Sequence, residues 1–249
     1  MTHVAATLTW PRVQSLAESG AVALLPVGST EAHGPHLPLN VDVVIAEEVC
    51  RRVATRLAAR HLDTVIFPAV PYGLTDFAAS FAGTVSLSAD TTRGLLSGVL
   101  EGIAAHGFKR IAVINHHLEP AHFAVVHEAA KLAREKTRAV IVVPDHRKKP
   151  HGPRLGDEFT KGGSHAGFYE TSLMLAAAPQ LVDDSARRVL PELAVDLPAK
   201  IKAGARNFHE CGGTSAYFGA PAAATADDGH RLLDILAEIS EAALMEAST

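Results

Sequence analysis

Arg110-Ile-Ala-Val-Ile-Asn115-His-His117-Leu-Glu119-Pro120 is the stretch that decides the fold. Its first half is a short apolar run of the kind a buried strand needs. From Pro120 onward, through residues 120–136, apolar side chains recur at helical spacing, and a proline suits the first helical position. A strand that ends in a polar loop and feeds a helix is the repeating unit of α/β proteins. The same order recurs upstream, with a strand at residues 21–27, a helix at 42–60 and a strand at 64–68. A long loop through Gly73 and Gly83 leads to a helix at 91–106. A further strand follows at 139–144, and helices at 167–178 and 227–246 close the chain. Such alternation predicts a mainly parallel sheet covered on both faces.

Composition sets the outer bounds. A chain of 249 residues can bury a well-formed core as one α/β domain, residues 1–249. The formal charge of −4 offers no nucleic-acid footprint, and Lys and Arg are dispersed apart from Arg147, Lys148 and Lys149. Two thiols, Cys50 and Cys211, are too few for a disulfide framework. No apolar run reaches the roughly 18 residues of a membrane span. The first residues lack a basic segment followed by an apolar one, so the expected location is the cytoplasm.

The loops after residues 27 and 115 lie where α/β sheets place their sites, beyond the carboxyl ends of strands. Each carries a mirrored pair, Glu31-x-His33 and His117-x-Glu119, with Asp42 following the first. Residues two apart on an extended segment point to one side. Imidazole nitrogen with carboxylate oxygen suits zinc, manganese or iron. Three carboxylates and two neutral imidazoles carry −3 against the +4 of two dications. One bridging hydroxide would cancel the remainder and serve as a nucleophile near neutral pH. Other readings stand beside this one. Asp42 also fits a helix cap, and His36, His116 and His122 fit ordinary loop or helix histidines.

The segment from Leu25 to Asp42, Leu-Pro-Val-Gly-Ser-Thr-Glu-Ala-His-Gly-Pro-His-Leu-Pro-Leu-Asn-Val-Asp, resembles the opening signature of the creatininase (creatinine amidohydrolase) family. The resemblance continues through Tyr72-Gly73, Phe81-Ala-Gly-Thr-Val-Ser-Leu87, Asn115 to Glu119, Gly162-Gly-Ser-His165-Ala-Gly-Phe-Tyr-Glu170-Thr-Ser172 and Tyr217-Phe-Gly-Ala-Pro221. It implies a three-layer α/β/α sandwich with a mainly parallel central sheet, in a homo-oligomer such as a hexamer. It also implies two divalent metal ions, Zn, Mn or Fe. Glu31, Asp42 and His117 would hold one and His33, Asp42 and Glu119 the other, with Asp42 bridging. His165 would carry the proton to the leaving nitrogen, with Glu119 beside it as the second catalytic residue. Glu170 would orient its loop and helix. The implied activity is amide hydrolysis at a non-peptide C–N bond of a small molecule, without a covalent enzyme intermediate.

The substrate is expected to differ from creatinine. Trp10, the single tryptophan, lies far from the expected pocket segments, and Lys161 stands where an aromatic wall would be. Ser164 occupies the position of an acidic residue. Lys161 and Ser164 are therefore the expected substrate contacts, with a basic residue of the 145–154 loop, and they suggest a polar pocket for a cyclic, formylated or anionic amide. True creatinine hydrolysis and a non-catalytic, metal-stabilised assembly are the alternatives.

Overall fold

A computed structural model of the protein describes residues 1–161 and 164–247. Five strands, β1 (Thr2–Val4), β2 (Val22–Val27), β3 (Thr64–Ile66), β4 (Arg110–Asn115) and β5 (Val140–Val142), form a sheet in the order β1-β3-β2-β4-β5. Every pairing in it is parallel. The helices are α1 (Trp10–Glu18), α2 (Val41–Ala58), α3 (Ala89–Ala105), α4 (Pro120–Lys136), α5 (Asp157–Lys161), α6 (Phe168–Ala177), α7 (Asp184–Arg188), α8 (Leu197–Lys202) and α9 (Ala226–Glu246).

Successive side chains of a strand face opposite ways, and here both faces are covered. Val22 and Leu24 of β2, with Ala112 and Ile114 of β4, pack against Ile45 and Val49 of α2, Leu173 of α6 and Leu236 of α9. Ala23, Leu25 and Val27, with Ile111 and Val113, pack against Leu16 of α1, Leu96 and Leu100 of α3 and Val126 of α4. The result is the three-layer α/β/α arrangement expected, with all six residues of β2 buried. Among the described residues, no helix is long and apolar enough to cross a membrane.

Strand order explains where a site can form. From β2 the chain crosses to β3 on one side, and from β4 it crosses to β5 on the other. A crevice therefore opens where β2 and β4 lie side by side, at the carboxyl ends paired as Val27 with Asn115. Both loops with the mirrored pairs begin there.

Element boundaries differ from the sequence expectation for local reasons. β3 stops at Ile66 rather than residue 68, since Pro68 has no N–H to continue the ladder. β1 is three residues long and carries no alternation to read. α1, for which the sequence reading assigned no element, begins with Pro11 in its first turn, a helix start signal. Residues 144–167, rich in Pro and Gly and read from the sequence as a loop, contain the short helix α5.

The chain leaving β5 buries His146, whose ring stacks on His116 with centroids 5.9 Å apart and whose Nε2 has no hydrogen-bond partner. Burial, with His116 adding to it, pushes His146 down to about 3. An unfolded histidine titrates near 6.5, so between these values the unfolded chain binds the extra proton. Stability should fall as pH drops through this window, by up to about 1.4 kcal/mol per pH unit from this residue. Urea midpoints measured from pH 7 to pH 4 should decline less steeply for His146→Phe than for the parent. Equal slopes would show that His146 is not the group responsible.

Candidate metal centre and active-site cavity

Gly28, just after β2, lies against the first turn of α2. A Cβ at Gly28 would lie 2.7 Å from Asp42 Cβ and 2.8 Å from the Val43 nitrogen, so only glycine permits this approach. It lets Ser29 reach Asp42, donating from its backbone N–H at 3.3 Å and from Oγ at 2.7 Å to Oδ2. Ser29 thus positions a carboxylate and is no nucleophile. Thr75, on the long loop, donates from Oγ1 to Glu31 Oε2 in the same way. Neither supporting residue was evident from the sequence, although Ser29 lies inside the quoted opening signature.

Three histidines share one design. His33 Nδ1 donates to the Glu31 carbonyl at 3.0 Å, His117 Nε2 to the Leu74 carbonyl at 2.9 Å, and His165 Nε2 to the Ala32 carbonyl at 2.9 Å. Each bond fixes the ring orientation and leaves the other ring nitrogen to hold either a proton or a cation. His117 Nδ1 lies 3.1 Å from Glu31 Oε1 and 3.2 Å from Asp42 Oδ2. His33 Nε2 lies 3.4 Å from Asp42 Oδ1, 3.6 Å from Glu170 Oε2 and 3.7 Å from Glu31 Oε1. This His33 nitrogen is buried and has no hydrogen-bond partner. His165 Nδ1 is 3.8 Å from Glu31 Oε1.

Among the described residues, donor atoms gather in three groups within 4.8 Å: Glu31, Asp42 and His117; His33, Asp42 and Glu170; and Glu31, His33 and His165. The first is the set expected for one ion. The second differs from expectation, because Glu170 stands where Glu119 was placed. Glu119 is turned instead toward the long loop, accepting N–H bonds from Asp76 at 3.3 Å and Phe77 at 3.2 Å. Glu170 reaches the cluster because α6 starts beside it and the Ala166 N–H donates to its Oε2 at 2.7 Å.

The electrostatics fit a cation-binding site. Glu31, Asp42 and Glu170 are all buried, a costly arrangement for three carboxylates without positive charge among them. Burial pushes Glu170 up to about 8, with Asp42 and Glu31 adding to it, and pushes Glu119 up to about 7. Burial also works against ionised Glu31 and Asp42. The histidines outweigh it, holding Glu31 down to about 2 and Asp42 well below the usual carboxylate range. Burial opposes a charged His33, yet Asp42, Glu170 and Glu31 outweigh that and raise it to about 10. His165 is different: burial, reinforced by His33, lowers it to about 4. As a neutral ring bonded through Nε2 to a carbonyl, it offers an acceptor at Nδ1.

Glu31, Asp42, His117, Glu119, His165 and Glu170 line a cavity of about 720 Å³, within the range of small-molecule sites, and His33 is buried outside that lining. Ser164 lines the cavity as well. Lys161 does not: it is exposed on α5 and its Nζ is bound to Asp157 at 2.6 Å. The basic loop contributes Arg147 and Lys149. Arg147 is clamped by Asp145 and lies 3.3 Å over the Phe123 ring. The expectation of a polar lining is corrected by Phe77, Phe159 and Phe208, three aromatic walls contributed by segments outside the quoted motifs. Trp10 is 76% exposed on α1, outside the lining. Gly162 and Gly163 fall outside the described residues.

Residues 6–244 match the profile of the family described as Creatininase: Creatinine amidohydrolase. The chain belongs to the creatininase family. It is 34% identical to the creatinine amidohydrolase of Pseudomonas putida over 194 residues, covering 71% of this chain and 72% of the relative. It is 32% identical to the mycofactocin precursor peptide peptidase of Mycobacterium ulcerans (strain Agy99) over 231 residues, covering 90% of this chain and 80% of the relative. Among solved structures it superimposes on a creatininase named for Mn with a TM-score of 0.77 at 26% identity, covering 99% of this chain and 98% of that one. Creatininase membership makes this protein a family-level hydrolase on a shared α/β fold.

Proposed function

We propose that the protein is a dinuclear metal-dependent amidohydrolase. The observation that carries this reading is the pair of three-donor groups sharing Asp42, all of whose members except the buried His33 line one cavity. Glu31, Asp42 and His117 would hold one divalent cation, and His33, Asp42 and Glu170 the other. Nitrogen and oxygen donors of this kind suit zinc or manganese. Bound there, such cations would supply Lewis acidity toward an amide carbonyl and an activated water.

The remaining residues handle protons and orientation. Glu119 is free of both three-donor groups, is fixed by two backbone N–H groups and lines the cavity two residues beyond His117. Its carboxylate would take a proton from the attacking water and return it to the leaving nitrogen. His165 Nδ1, fixed by the bond at Nε2, presents an acceptor to the substrate or to the same proton. The peptide named for the M. ulcerans relative, with a cavity of this volume, supports extending the substrate class from small amides to peptide amides.

Two measurements test this reading. Metal analysis combined with an amide panel (creatinine, a formylated amine and a short peptide) should reveal turnover that chelation abolishes and zinc or manganese restores. Turnover indifferent to chelation would remove the metal mechanism. Glu119→Gln should lower kcat by about 10²–10⁴-fold while metal content stays at the parent level. If metal is lost along with activity, Glu119 is a ligand after all and the assignment to Glu170 falls.

A further inference from the structure

One wall of the cavity is α5, a helix of five residues in which Asp157, Phe159 and Thr160 line the opening. A helix this short has no stability of its own. What holds it is Glu158. Its carboxylate accepts three backbone N–H bonds, from Phe168 at 2.9 Å, Tyr169 at 2.8 Å and Ala220 at 2.8 Å. Two of these donors open α6, whose next residue is Glu170. An anion at a helix N-terminus satisfies N–H groups that lack partners and is favoured by the helix dipole. Charge-assisted bonds of this kind are stronger than neutral ones.

The anchor fixes its neighbour. The Phe159 ring packs 4.8 Å from Tyr169 and 5.7 Å from His146, both buried. Phe77 and Phe208, with rings 5.9 Å apart, supply further aromatic lining, and Phe208 sits 4.3 Å from the His165 ring. We infer that Phe159, set in place by Glu158, is a specificity wall that selects an amide carrying an apolar, ring-bearing body. Phe159 is the selecting residue and Glu158 the positioning residue. The inference rests on the metal-dependent reading above and adds the substrate class to it.

The test uses full-length, zinc-loaded protein and two hydroxamates that share a metal-binding head, acetohydroxamate and benzohydroxamate, with Kd measured by calorimetry. The parent should bind the ring-bearing probe at least about tenfold more tightly, the lower end of what burying an aromatic ring contributes. Phe159→Ala should reduce that preference to less than about threefold while leaving the acetohydroxamate Kd unchanged, and Glu158→Ala should reduce the ratio of the two Kd values to the same extent even where a shift of Glu170 weakens both. Glu158→Gln, which keeps the shape but not the charge, should fall between. A parent without preference, or Phe159→Ala retaining it, overturns the specificity wall. Loss in Phe159→Ala with full retention in Glu158→Ala overturns the positioning role. Should Glu158→Ala fail to fold, Phe159→Ala and Glu158→Gln decide the matter. Failure of acetohydroxamate to bind the parent would count against the metal centre itself, a result separate from loss of ring preference.

Discussion

Asp42→Ala should abolish high-affinity metal binding and, with it, hydrolysis. Asp42 belongs to two of the three-donor groups, its Oδ1 facing His33 and its Oδ2 facing His117. Altering a residue that merely supports a ligand typically costs 10–100-fold in metal affinity, so removing a shared ligand should cost more than about 100-fold. The stabilisation that metal confers should vanish as well. A cation present at 100 times its Kd raises stability by about 2.7 kcal/mol, visible as a rise in Tm that chelator reverses. The parent should show that rise and Asp42→Ala should not. Asp42→Asn separates charge from scaffolding, because its amide oxygen can still accept from Ser29 while the carboxylate is gone. It should keep the fold and lose the metal. Elemental analysis after gel filtration reads the stoichiometry directly, and a full complement of metal in both variants would defeat the assignment.

The layers and the place of the site were legible because each rests on a short-range signal. Apolar runs at residues 21–27 and 110–115 have no room to be anything but buried strands, and the loops after them had to meet if the strands were neighbours. Their pairing as Val27 with Asn115 is the long-range fact that brings Glu31 and His33 to His117. The nearness of Glu170 to this cluster was not legible, for the opposite reason. It depends on how α6 packs against α2 and α9, and residue spacing says nothing of that packing. The mirrored His117-x-Glu119 pair invited a symmetrical reading, whereas the N–H groups of Asp76 and Phe77, on a loop without periodicity, turn Glu119 aside. The aromatic lining was hidden similarly: Phe77, Phe159 and Phe208 come from three separate segments. Lys161 was expected at the cavity from its position alone, whereas it lies on the exposed side of α5 and pairs with Asp157 one turn away.

The packing of α6 is itself testable, through Gly229→Ala, for which we expect a loss of stability of about 3–5 kcal/mol. Gly229 lies in the first turns of α9, where that helix crosses α6. A Cβ there would fall 1.9 Å from the Ser172 carbonyl oxygen, 2.6 Å from its carbon and 2.8 Å from the Ala176 Cβ. Backbone atoms cannot rotate away as a side chain can, so the helices must separate or α9 must bend. Alanine is the better helix former, and propensity alone would favour the variant by about 1 kcal/mol. The clash must win by the difference. Gly94→Ala on α3 is the control, because its added Cβ meets nothing within 4 Å. That change should stabilise by up to about 1 kcal/mol in the same urea titration. Separation of α9 from α6 also moves the helix that presents Glu170. At a temperature where Gly229→Ala remains folded, its zinc affinity should therefore be weaker than the parent's, whereas Gly94→Ala should match the parent. A variant that lost stability but bound zinc with parental affinity would uncouple the helix crossing from the metal centre. It would then fall to the Ala166 N–H and the α5 anchor to hold Glu170 in place.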